Sequence, residues 1–451
     1  MTFARLLIAM IAIGCARHQP ARTRHAALEL HTCTVPDVKE PLQCGTLEVP
    51  EDRAHPERRR LALPVIVLPM LGRRERGVPL FELMGGPGAA ATTAAVAFAT
   101  DLKALRDTGD IVLIDQRGTG TGPASLACPE LDDISADRVA DAAALRRCEN
   151  ALAARADLRF YGTVEAARDL EQARIALGYE RINIEALSYG TRLAQVYMRM
   201  FPSRVHAAVL FGTMPPDAHV PEDFAETAQR VVDAILEDCA REPECRRAHP
   251  KLREQFASLA VPSRIDRTAF TEWLRHRLYS SQGAAQLPTT IAATAAGDFS
   301  AFEGAPQLGK GLRNALNLTI TCSEDVPAID VPAAVARSRK TWFGAGRLER
   351  QVATCADWPR VPVPRELYEP VATDVTVLAI AGERDPVTPP SYAERAIKRM
   401  RNAQLIRVPG MAHEPDVAVD CLIAIERAFL REPMKRVDAS CLATAALPHV
   451  H

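Results

Sequence analysis

Residues 183–194 read NIEALSYGTRLA, and this stretch decides the fold because it joins a strand, a sharp turn and a helix around one serine. Residues 181–186 predict a strand, and residues 191–200 carry apolar side chains at helical spacing. Ser188 falls in the turn between them, and Gly190 follows two residues later. A turn of this kind pushes a serine hydroxyl clear of the sheet, which is the setting of a nucleophile. The stretch therefore predicts Ser188 as a nucleophile at the edge of a sheet.

Strands and helices alternate on both sides of this stretch. Short apolar runs predict further strands at 80–84, 111–114, 207–211, 375–381 and 404–408. Because helical segments separate most of these strands, we expect an α/β protein with a mostly parallel, doubly wound sheet.

The interval between the strands at 207–211 and 375–381 differs in character from the rest. From about residue 217 to residue 365 the chain is rich in Ala, Arg and Glu at helical periodicity, interrupted by Gly/Pro loops. A helical insertion between two strands predicts a cap subdomain that covers one end of the sheet. We therefore expect a core formed by 30–214 and 371–451, and an inserted, mainly helical cap at 215–370.

A serine nucleophile needs a base to accept its proton, and the C-terminal part of the core supplies one. Asp385 lies in GERDPVTP after one predicted strand, and His413 lies in PGMAH after the next. Loops that leave the carboxyl ends of parallel strands meet at the reactive edge of an open sheet. His413 would take the proton of Ser188 while Asp385 orients the imidazole. Glu383 and Asp416 are rival carboxylates for that second role.

Acyl transfer also requires two backbone N–H groups for the developing oxyanion. The residue after the nucleophile, Tyr189, provides the first. The loop at 85–88 reads GGPG and directly follows a buried strand, so its glycines allow N–H groups to turn toward a substrate carbonyl. We expect Gly86 to be the second donor, with Gly85 as the alternative.

The N-terminus has the features of an export signal. Arg5 precedes the apolar run 6–13, which is too short to span a bilayer and fits the apolar segment of a cleavable signal. Gly14-Cys15 resembles the site at which bacterial lipoproteins are cleaved and lipidated. We therefore expect a signal peptide at 1–14 and lipidation of Cys15, with attachment to a membrane. The alternatives are a plain secretory signal and an uncleaved anchor.

Cysteine usage agrees with export. The chain has eleven cysteines, and setting Cys15 aside leaves an even number. They fall in five pairs that are close in sequence: Cys33 with Cys44, Cys128 with Cys148, Cys239 with Cys245, Cys322 with Cys355, and Cys421 with Cys441. No CxxC motif is present, so a metal site is disfavoured. The pattern favours disulfides formed in an oxidising compartment.

Composition limits the classes of function. The 451 residues carry a net charge of −1, with 47% hydrophobic and 25% charged residues, which is typical of a globular protein without a basic field for nucleic acid. The sequence contains no glycine-rich motif for a dinucleotide or a phosphate group. We therefore expect no nucleic-acid partner, no metal and no cofactor.

Five motifs together resemble a known family. They are GGPG at 85–88, DQRGTGTG at 115–122, SYGT at 188–191, GERDPVTP at 382–389 and GMAHEP at 410–415. In this order they are similar to the proline iminopeptidase and secreted tripeptidyl aminopeptidase branch of the α/β-hydrolases, over most of the mature chain. The resemblance implies the α/β-hydrolase fold and a triad of Ser188, Asp385 and His413. It also implies release of residues or short peptides from free peptide N-termini through an acyl-enzyme.

Two positions depart from the pattern of that family. Met84 stands where a histidine usually precedes the first glycine of the GGPG loop, and Ala186 replaces the first glycine around the nucleophile. Neither change removes a catalytic group. We interpret Asp115 and Arg117 as residues that hold loops in place rather than as reactants.

The substrate-binding residues stay open at this stage. An aminopeptidase needs carboxylates for the substrate ammonium, and Glu324 and Asp325 beside Cys322 are candidates, although they could equally belong to a solvated acidic loop. A carboxylesterase or lipase with the same triad is the first alternative to an exopeptidase. A catalytically inactive surface binding protein is the second.

Overall fold

The computed structural model describes residues 28–72, 77–132, 142–305 and 313–444. The predicted signal peptide at 1–14 and Cys15 lie outside these residues. The described residues form one nine-stranded sheet with the order β1-β2-β3-β5-β4-β6-β7-β8-β9. Its strands are β1 (His31–Cys33), β2 (Leu42–Pro50), β3 (Arg60–Leu68), β4 (Leu80–Leu83), β5 (Ile111–Ile114), β6 (Ile182–Leu187), β7 (Val205–Phe211), β8 (Thr376–Gly382) and β9 (Ala403–Val408).

Seventeen α-helices occur in the same residues. Those outside the β7–β8 interval are α1 (Ala95–Ala99), α2 (Pro129–Asp132), α3 (Ala142–Ala153), α4 (Thr163–Ala176), α5 (Tyr189–Met200), α16 (Pro390–Ile397) and α17 (Val419–Arg431). Those between β7 and β8 are α6 (Phe224–Arg241), α7 (Pro243–Ala248), α8 (Leu252–Ser258), α9 (Arg267–Arg277), α10 (Ser281–Ala285), α11 (Leu287–Ala295), α12 (Ser300–Glu303), α13 (Asn314–Ile320), α14 (Val331–Ser338) and α15 (Gly346–Asp357). None of the helices in the described part of the chain is both long and apolar enough to cross a bilayer.

The sheet is parallel from β5 to β9 and antiparallel at its N-terminal edge. β4 pairs in parallel with β5 and β6, and the parallel ladder continues through β7 and β8 to β9. β1, β2 and β3 add to it as an antiparallel meander. β5 is a continuous apolar run, and every residue of β8 is buried, as expected where helices cover both faces of a parallel sheet. The predicted mostly parallel α/β sheet is confirmed.

Several of the ten helices between β7 and β8 share a hydrophobic core of their own, whereas α13, α14 and α15 pack into a cluster on the sheet. The buried apolar side chains of α6, α8, α9 and α11 form one cluster, separate from the two clusters on the faces of the sheet. Phe270 lies at its centre, with the rings of Trp273 and Phe299 within 5.5 and 5.2 Å of it. We keep the name cap for residues 215–370, and its boundaries stay a prediction.

Five disulfides join the cysteine pairs that lie close in sequence. They are Cys33–Cys44, Cys128–Cys148, Cys239–Cys245, Cys322–Cys355 and Cys421–Cys441. Disulfides of this density persist in oxidising compartments, because cytosolic reductants keep thiols free. The protein is therefore an extracytoplasmic one.

Three glutamates meet inside the core. Glu82 on β4 lies opposite Glu185 on β6, and Glu426 on α17 hydrogen-bonds to Glu185. Burial raises the pKa of Glu185 to about 7 against the opposing effect of its hydrogen bond with Glu426. Burial and repulsion by Glu185 raise the pKa of the other two carboxyl groups well above the usual glutamate range. At neutral pH the core therefore holds protons on carboxyl groups that the unfolded chain would release.

This cluster predicts lower stability in alkaline solution. A carboxyl group whose pKa is raised on folding stabilises the native state below its ordinary pKa, and that stability is lost as the pH rises toward the folded value. Glu426→Gln keeps a neutral donor for Glu185 and removes one titrating group. The free energy of unfolding should fall in both proteins as the pH rises from 5 to 8. We expect this fall to be smaller in the variant than in the wild type by on the order of 2 kcal/mol, as measured by urea unfolding.

An exposed glutamate provides the matched control for this comparison. Glu57 is exposed, so Glu57→Gln should keep the pH dependence of the wild type. If Glu426→Gln and the wild type lose the same free energy between the two pH values, the cluster does not control alkaline stability.

Candidate active site

The turn around Ser188 has the strained geometry expected of a nucleophile. β6 ends at Leu187 and α5 begins at Tyr189, so Ser188 alone makes the turn, with φ +58° and ψ −123°. A positive φ is costly for a residue with a side chain and persists only where the surroundings enforce it. Here the Ser188 N–H donates to Phe211 O at 3.0 Å, and the Thr191 N–H donates to Ser188 O at 2.9 Å. Helix α5 therefore begins directly after the serine, two residues before the position predicted from the sequence.

Close approach of helix and strand explains the small residues around the nucleophile. A Cβ atom added to Gly190 would lie 1.9 Å from Leu83 O, so only glycine fits there. Ala186 is fully buried on β6, opposite Leu83 of β4 and Leu210 of β7. The methyl group at the position of the usual glycine is therefore accommodated within the sheet.

Asp385 and His413 form a buried hydrogen-bonded pair. His413 Nδ1 lies 2.8 Å from Asp385 Oδ2, and Thr388 Oγ1 donates to the same carboxylate oxygen at 2.7 Å. Asp385 Oδ1 accepts from the N–H groups of Val387 at 2.7 Å and Thr388 at 2.8 Å. Burial alone would raise the pKa of Asp385, but the attraction of His413 and these hydrogen bonds hold it below its usual value. The carboxylate is therefore ionised and fixes Nδ1 as the protonated ring nitrogen.

The rival carboxylates lie elsewhere. Asp416 Oδ2 accepts from the Ser281 N–H at 2.7 Å. Glu383 directly follows β8, and its N–H donates to Val408 O at 3.1 Å. Asp385 is thus the carboxylate that contacts the His413 ring, as the sequence predicted.

Gly212 is a site residue that the sequence analysis missed. It directly follows β7, next to the nucleophile turn, and has φ +54°. A Cβ atom there would lie 2.9 Å from Thr388 Oγ1 and 3.3 Å from Cε1 and Nδ1 of His413. Only glycine leaves room for the imidazole against this strand. A glycine at the carboxyl end of a central strand, beside the predicted nucleophile, is the signal that could have identified it.

The GGPG loop packs directly against the serine. A Cβ atom on Gly85 would lie 2.9 Å from Ser188 Cβ, and Gly86 has φ +111°, which a residue with a side chain rarely adopts. Gln116 Nε2 donates to Met84 O at 3.1 Å, which holds the residue before the loop. As the first residue of α5, Tyr189 has an N–H group without an acceptor inside its own helix. Gly86 and Tyr189 line one cavity with Ser188, and their role as oxyanion donors remains a prediction.

Asp115 and Arg117 hold loops in place, as expected. Asp115 Oδ1 accepts from the Thr92 N–H at 2.9 Å. Arg117 makes a bidentate contact with Asp169, at 2.6 Å from Nε and 2.7 Å from an Nη atom, and also donates to Phe160 O at 2.5 Å. Both side chains of this ion pair are buried, so the arginine is committed to structure.

Glu324 and Asp325 have different surroundings. Glu324 is buried and accepts from the Thr163 N–H at 2.7 Å and from the Thr163 hydroxyl at 2.6 Å. Asp325 forms an ion pair with Arg192 on α5 at 2.7 Å and lines the cavity that contains Ser188. Of the two candidates for ammonium binding, only Asp325 therefore faces this cavity, and the role itself stays a prediction.

A single cavity of about 280 Å³ brings the predicted catalytic residues together beneath the cap. Ser188, Tyr189, Gly86 and His413 line it from the core. From the cap the cavity is lined by Ala218, His219, Val220, Asp223, Phe224, Glu272, Arg275, His276, Tyr279, Asn314, Asn317, Asp325 and Arg347. Among the described residues no hydrogen bond joins Ser188 Oγ to the His413 ring, and such bonds in unliganded sites often shorten only when substrate is bound.

Comparison with known proteins identifies a family for most of the chain. Residues 85–415 match the family model described as the alpha/beta hydrolase fold. The chain is 25% identical over 471 aligned residues to serine protease Hip1 of Mycobacterium tuberculosis, covering 90% of each chain. It is 31% identical over 218 residues to tripeptidyl aminopeptidase of Streptomyces coelicolor, covering 44% of this chain and 40% of that protein.

Among solved structures, proline iminopeptidase of Mycobacterium smegmatis aligns over 86% of this chain and 98% of its own, with 16% identity and a TM-score of 0.42. The family model spans more than half of the chain, from the GGPG loop to the residues just after His413. The chain therefore belongs to the α/β-hydrolase family, as an enzyme of the serine hydrolase kind.

Proposed function

We propose that this protein is an extracytoplasmic serine exopeptidase that removes residues or short peptides from free peptide N-termini. The observation that carries the proposal is the single cavity in which Ser188 and His413 share walls with an acidic cap residue, Asp325. Similarity to a serine protease and to a tripeptidyl aminopeptidase supports peptides as the substrate class.

The proposed reaction uses the three residues predicted from the sequence. Ser188 Oγ attacks the scissile carbonyl carbon while His413 Nε2 takes the hydroxyl proton, and Asp385 stabilises the resulting imidazolium. The N–H groups of Gly86 and Tyr189 stabilise the oxyanion of the tetrahedral intermediate. When the C–N bond breaks, His413 returns the proton to the leaving amine. Water then attacks the acyl-enzyme by the same route and releases the N-terminal fragment.

Recognition of a free amino group is supported by the polar wall near Arg192. Two buried carboxyl groups share this one guanidinium, Asp325 at 2.7 Å and Glu324 at 3.9 Å. Burial raises the pKa of Glu324, which also lies off the cavity wall, so Asp325 is the acidic group offered to the substrate. His219 lies beside them, with Nδ1 3.9 Å from Asp325 Oδ1 and without a hydrogen-bond partner in the described part of the chain. Burial lowers the pKa of His219, so its neutral ring can accept a hydrogen bond. A carboxylate oxygen and a neutral imidazole nitrogen together suit a substrate ammonium group.

Membrane attachment is a separate part of the proposal. Cys15 would carry the lipid after cleavage of residues 1–14, so that the enzyme acts while anchored to a membrane. The support for this step is the sequence pattern alone.

A substrate comparison on the purified mature protein tests the exopeptidase proposal. Aminoacyl, dipeptidyl and tripeptidyl anilides with free N-termini are set against the same compounds with acetylated N-termini and against short-chain nitrophenyl esters. We expect turnover of at least one free-amine anilide and a loss of at least about 100-fold in kcat/KM on acetylation, because a site built for a charged group rejects a neutral one. The preferred anilide reports how many residues leave in each cut.

The other outcomes reject the proposal in different ways. Equal turnover of free and acetylated peptides would indicate an endopeptidase. Turnover of esters alone would establish a carboxylesterase. Failure on every substrate, with a folded protein, would favour a binding protein.

A further inference from the structure

We propose that the cap turn at residues 279–281 positions the catalytic histidine, so that the cap is part of the catalytic machinery rather than only a cover. The inference rests on the proposed role of His413 as the base. It concerns Tyr279, which lies between α9 and α10, and Ser281, which is the first residue of α10. Neither the sequence motifs nor the family resemblance assigns a role to them.

The backbone of the histidine loop is held by the cap. The N–H groups of His413 and Glu414 both donate to Tyr279 O, at 3.0 and 2.9 Å. The N–H group of Ala412 donates to Ser281 Oγ at 3.1 Å. Three consecutive backbone N–H groups around the predicted base therefore find their acceptors in one turn of the cap, more than 130 residues earlier in the chain.

Two further contacts fix the same pair of segments. The Ser281 N–H donates in the opposite direction to Asp416 Oδ2, at 2.7 Å. The ring of Tyr279 meets the His413 ring edge to face, with centroids 5.1 Å apart. Since both segments donate and both accept, neither can shift along the other without breaking several hydrogen bonds at once.

The cap supports its own side of this contact through a buried ion pair. Arg275 donates to Tyr279 Oη at 3.0 Å, and its guanidinium lies 2.8 Å from Glu272 Oε2. Arg275 and Glu272 are both buried. Tyr279 is therefore fixed at its hydroxyl by the cap and at its carbonyl by the histidine loop.

The core and the cap hold different parts of His413. Asp385 and Thr388 belong to the core and bind the ring at Nδ1, which sets the tautomer. The cap turn binds the backbone on either side of the ring, which sets where Nε2 points. If the cap moved away, the three N–H groups of 412–414 would all lose these acceptors, and water would replace them without fixing the position of the loop. The His413 ring is therefore aligned only while the cap is seated on the sheet.

Ser281→Ala is the variant that tests the proposal. It removes the acceptor of the Ala412 N–H and leaves every proposed triad and oxyanion residue in place. We expect kcat to fall about 10- to 100-fold, with KM changed less than about threefold, because a small misplacement of a catalytic group has effects of that size. The rate at which a fluorophosphonate labels Ser188 should fall by the same factor, and Ser281→Thr, which keeps the hydroxyl, should restore both rates.

Neighbouring residues provide a control and a second variant. Ser280 caps α10 by accepting from the Gly283 N–H at 3.1 Å, and its side chain makes no hydrogen bond to the histidine loop within the described residues, so Ser280→Ala should disturb the cap without lowering kcat. The side chain of Asp416 is exposed and accepts from the Ser281 N–H. Asp416→Ala removes this acceptor, and we expect a several-fold loss of kcat. Circular dichroism and thermal melting verify that each variant is folded.

The outcomes separate this inference from the proposed function. A folded Ser281→Ala protein with the kcat and labelling rate of the wild type would overturn the positioning role, as would a failure of Ser281→Thr to restore them. An equal loss in Ser280→Ala would show a general effect of cap stability and would also overturn it. If the wild type cleaves no peptide, the substrate proposal fails, but phosphonate labelling of Ser188 still measures the alignment of His413.

Discussion

Replacing Ser188 with alanine is expected to lower the turnover of every substrate by about 10⁴- to 10⁶-fold, because the three proposed catalytic residues act as a unit. The hydroxyl oxygen of Ser188 is the atom that forms the acyl-enzyme. Ser188 lines the cavity and alone forms the strained turn between β6 and α5. The small residual rate would come from the oxyanion donors and from substrate binding, which the variant retains.

The same substitution should leave the fold intact. The hydrogen bonds that hold the turn use the backbone N–H and carbonyl of Ser188, and alanine keeps both. We expect a melting temperature within a few degrees of the wild type, measured by circular dichroism, together with complete loss of fluorophosphonate labelling. Ser203, which is exposed, provides the control, and Ser203→Ala should behave as the wild type. Turnover by a folded Ser188→Ala protein would exclude this serine as the nucleophile.

Local sequence signals were enough to place the three proposed catalytic residues at one edge of the sheet. Ser188, Asp385 and His413 each follow a strand within a few residues, so strand pattern and turn chemistry together indicate their positions. The disulfides were predicted for a similar reason, because each pair is close in sequence. Interactions of this kind depend on neighbouring residues, and a single sequence contains that information.

Contacts between distant segments could not be predicted in the same way. Glu324 looked like a candidate for the substrate, yet its oxygens bind Thr163, 161 residues away. The turn at Tyr279 and Ser281 carries no motif, and its importance follows only from its position against the histidine loop. Such contacts depend on how the cap is seated on the sheet, which hydrophobic periodicity does not specify.

Asp385→Asn is expected to lower kcat by about 10⁴-fold at neutral pH while the protein stays folded, because it changes which nitrogen of His413 carries the proton. Asp385 Oδ1 accepts from the N–H groups of Val387 and Thr388, and the asparagine carbonyl must keep that place to satisfy them. The amide NH₂ group then replaces Oδ2 and donates to Nδ1 of His413. Nδ1 becomes an acceptor, the proton moves to Nε2, and the ring can no longer take a proton from Ser188.

Two neighbouring carboxylates turn this variant into a test of the assignment itself. Glu383 lies two residues earlier in the same loop, and Asp416 follows His413 by three residues, but neither hydrogen-bonds to the ring within the described residues. Glu383→Gln should keep the kcat of the wild type, whereas Asp385→Asn should lose it with KM little changed. Because Asp416 acts through Ser281, Asp416→Asn, which keeps a side-chain oxygen as acceptor, should cost far less than Asp385→Asn. A loss of 10⁴-fold in Glu383→Gln, with Asp385→Asn near the wild-type rate, would transfer the orienting role to the rival carboxylate.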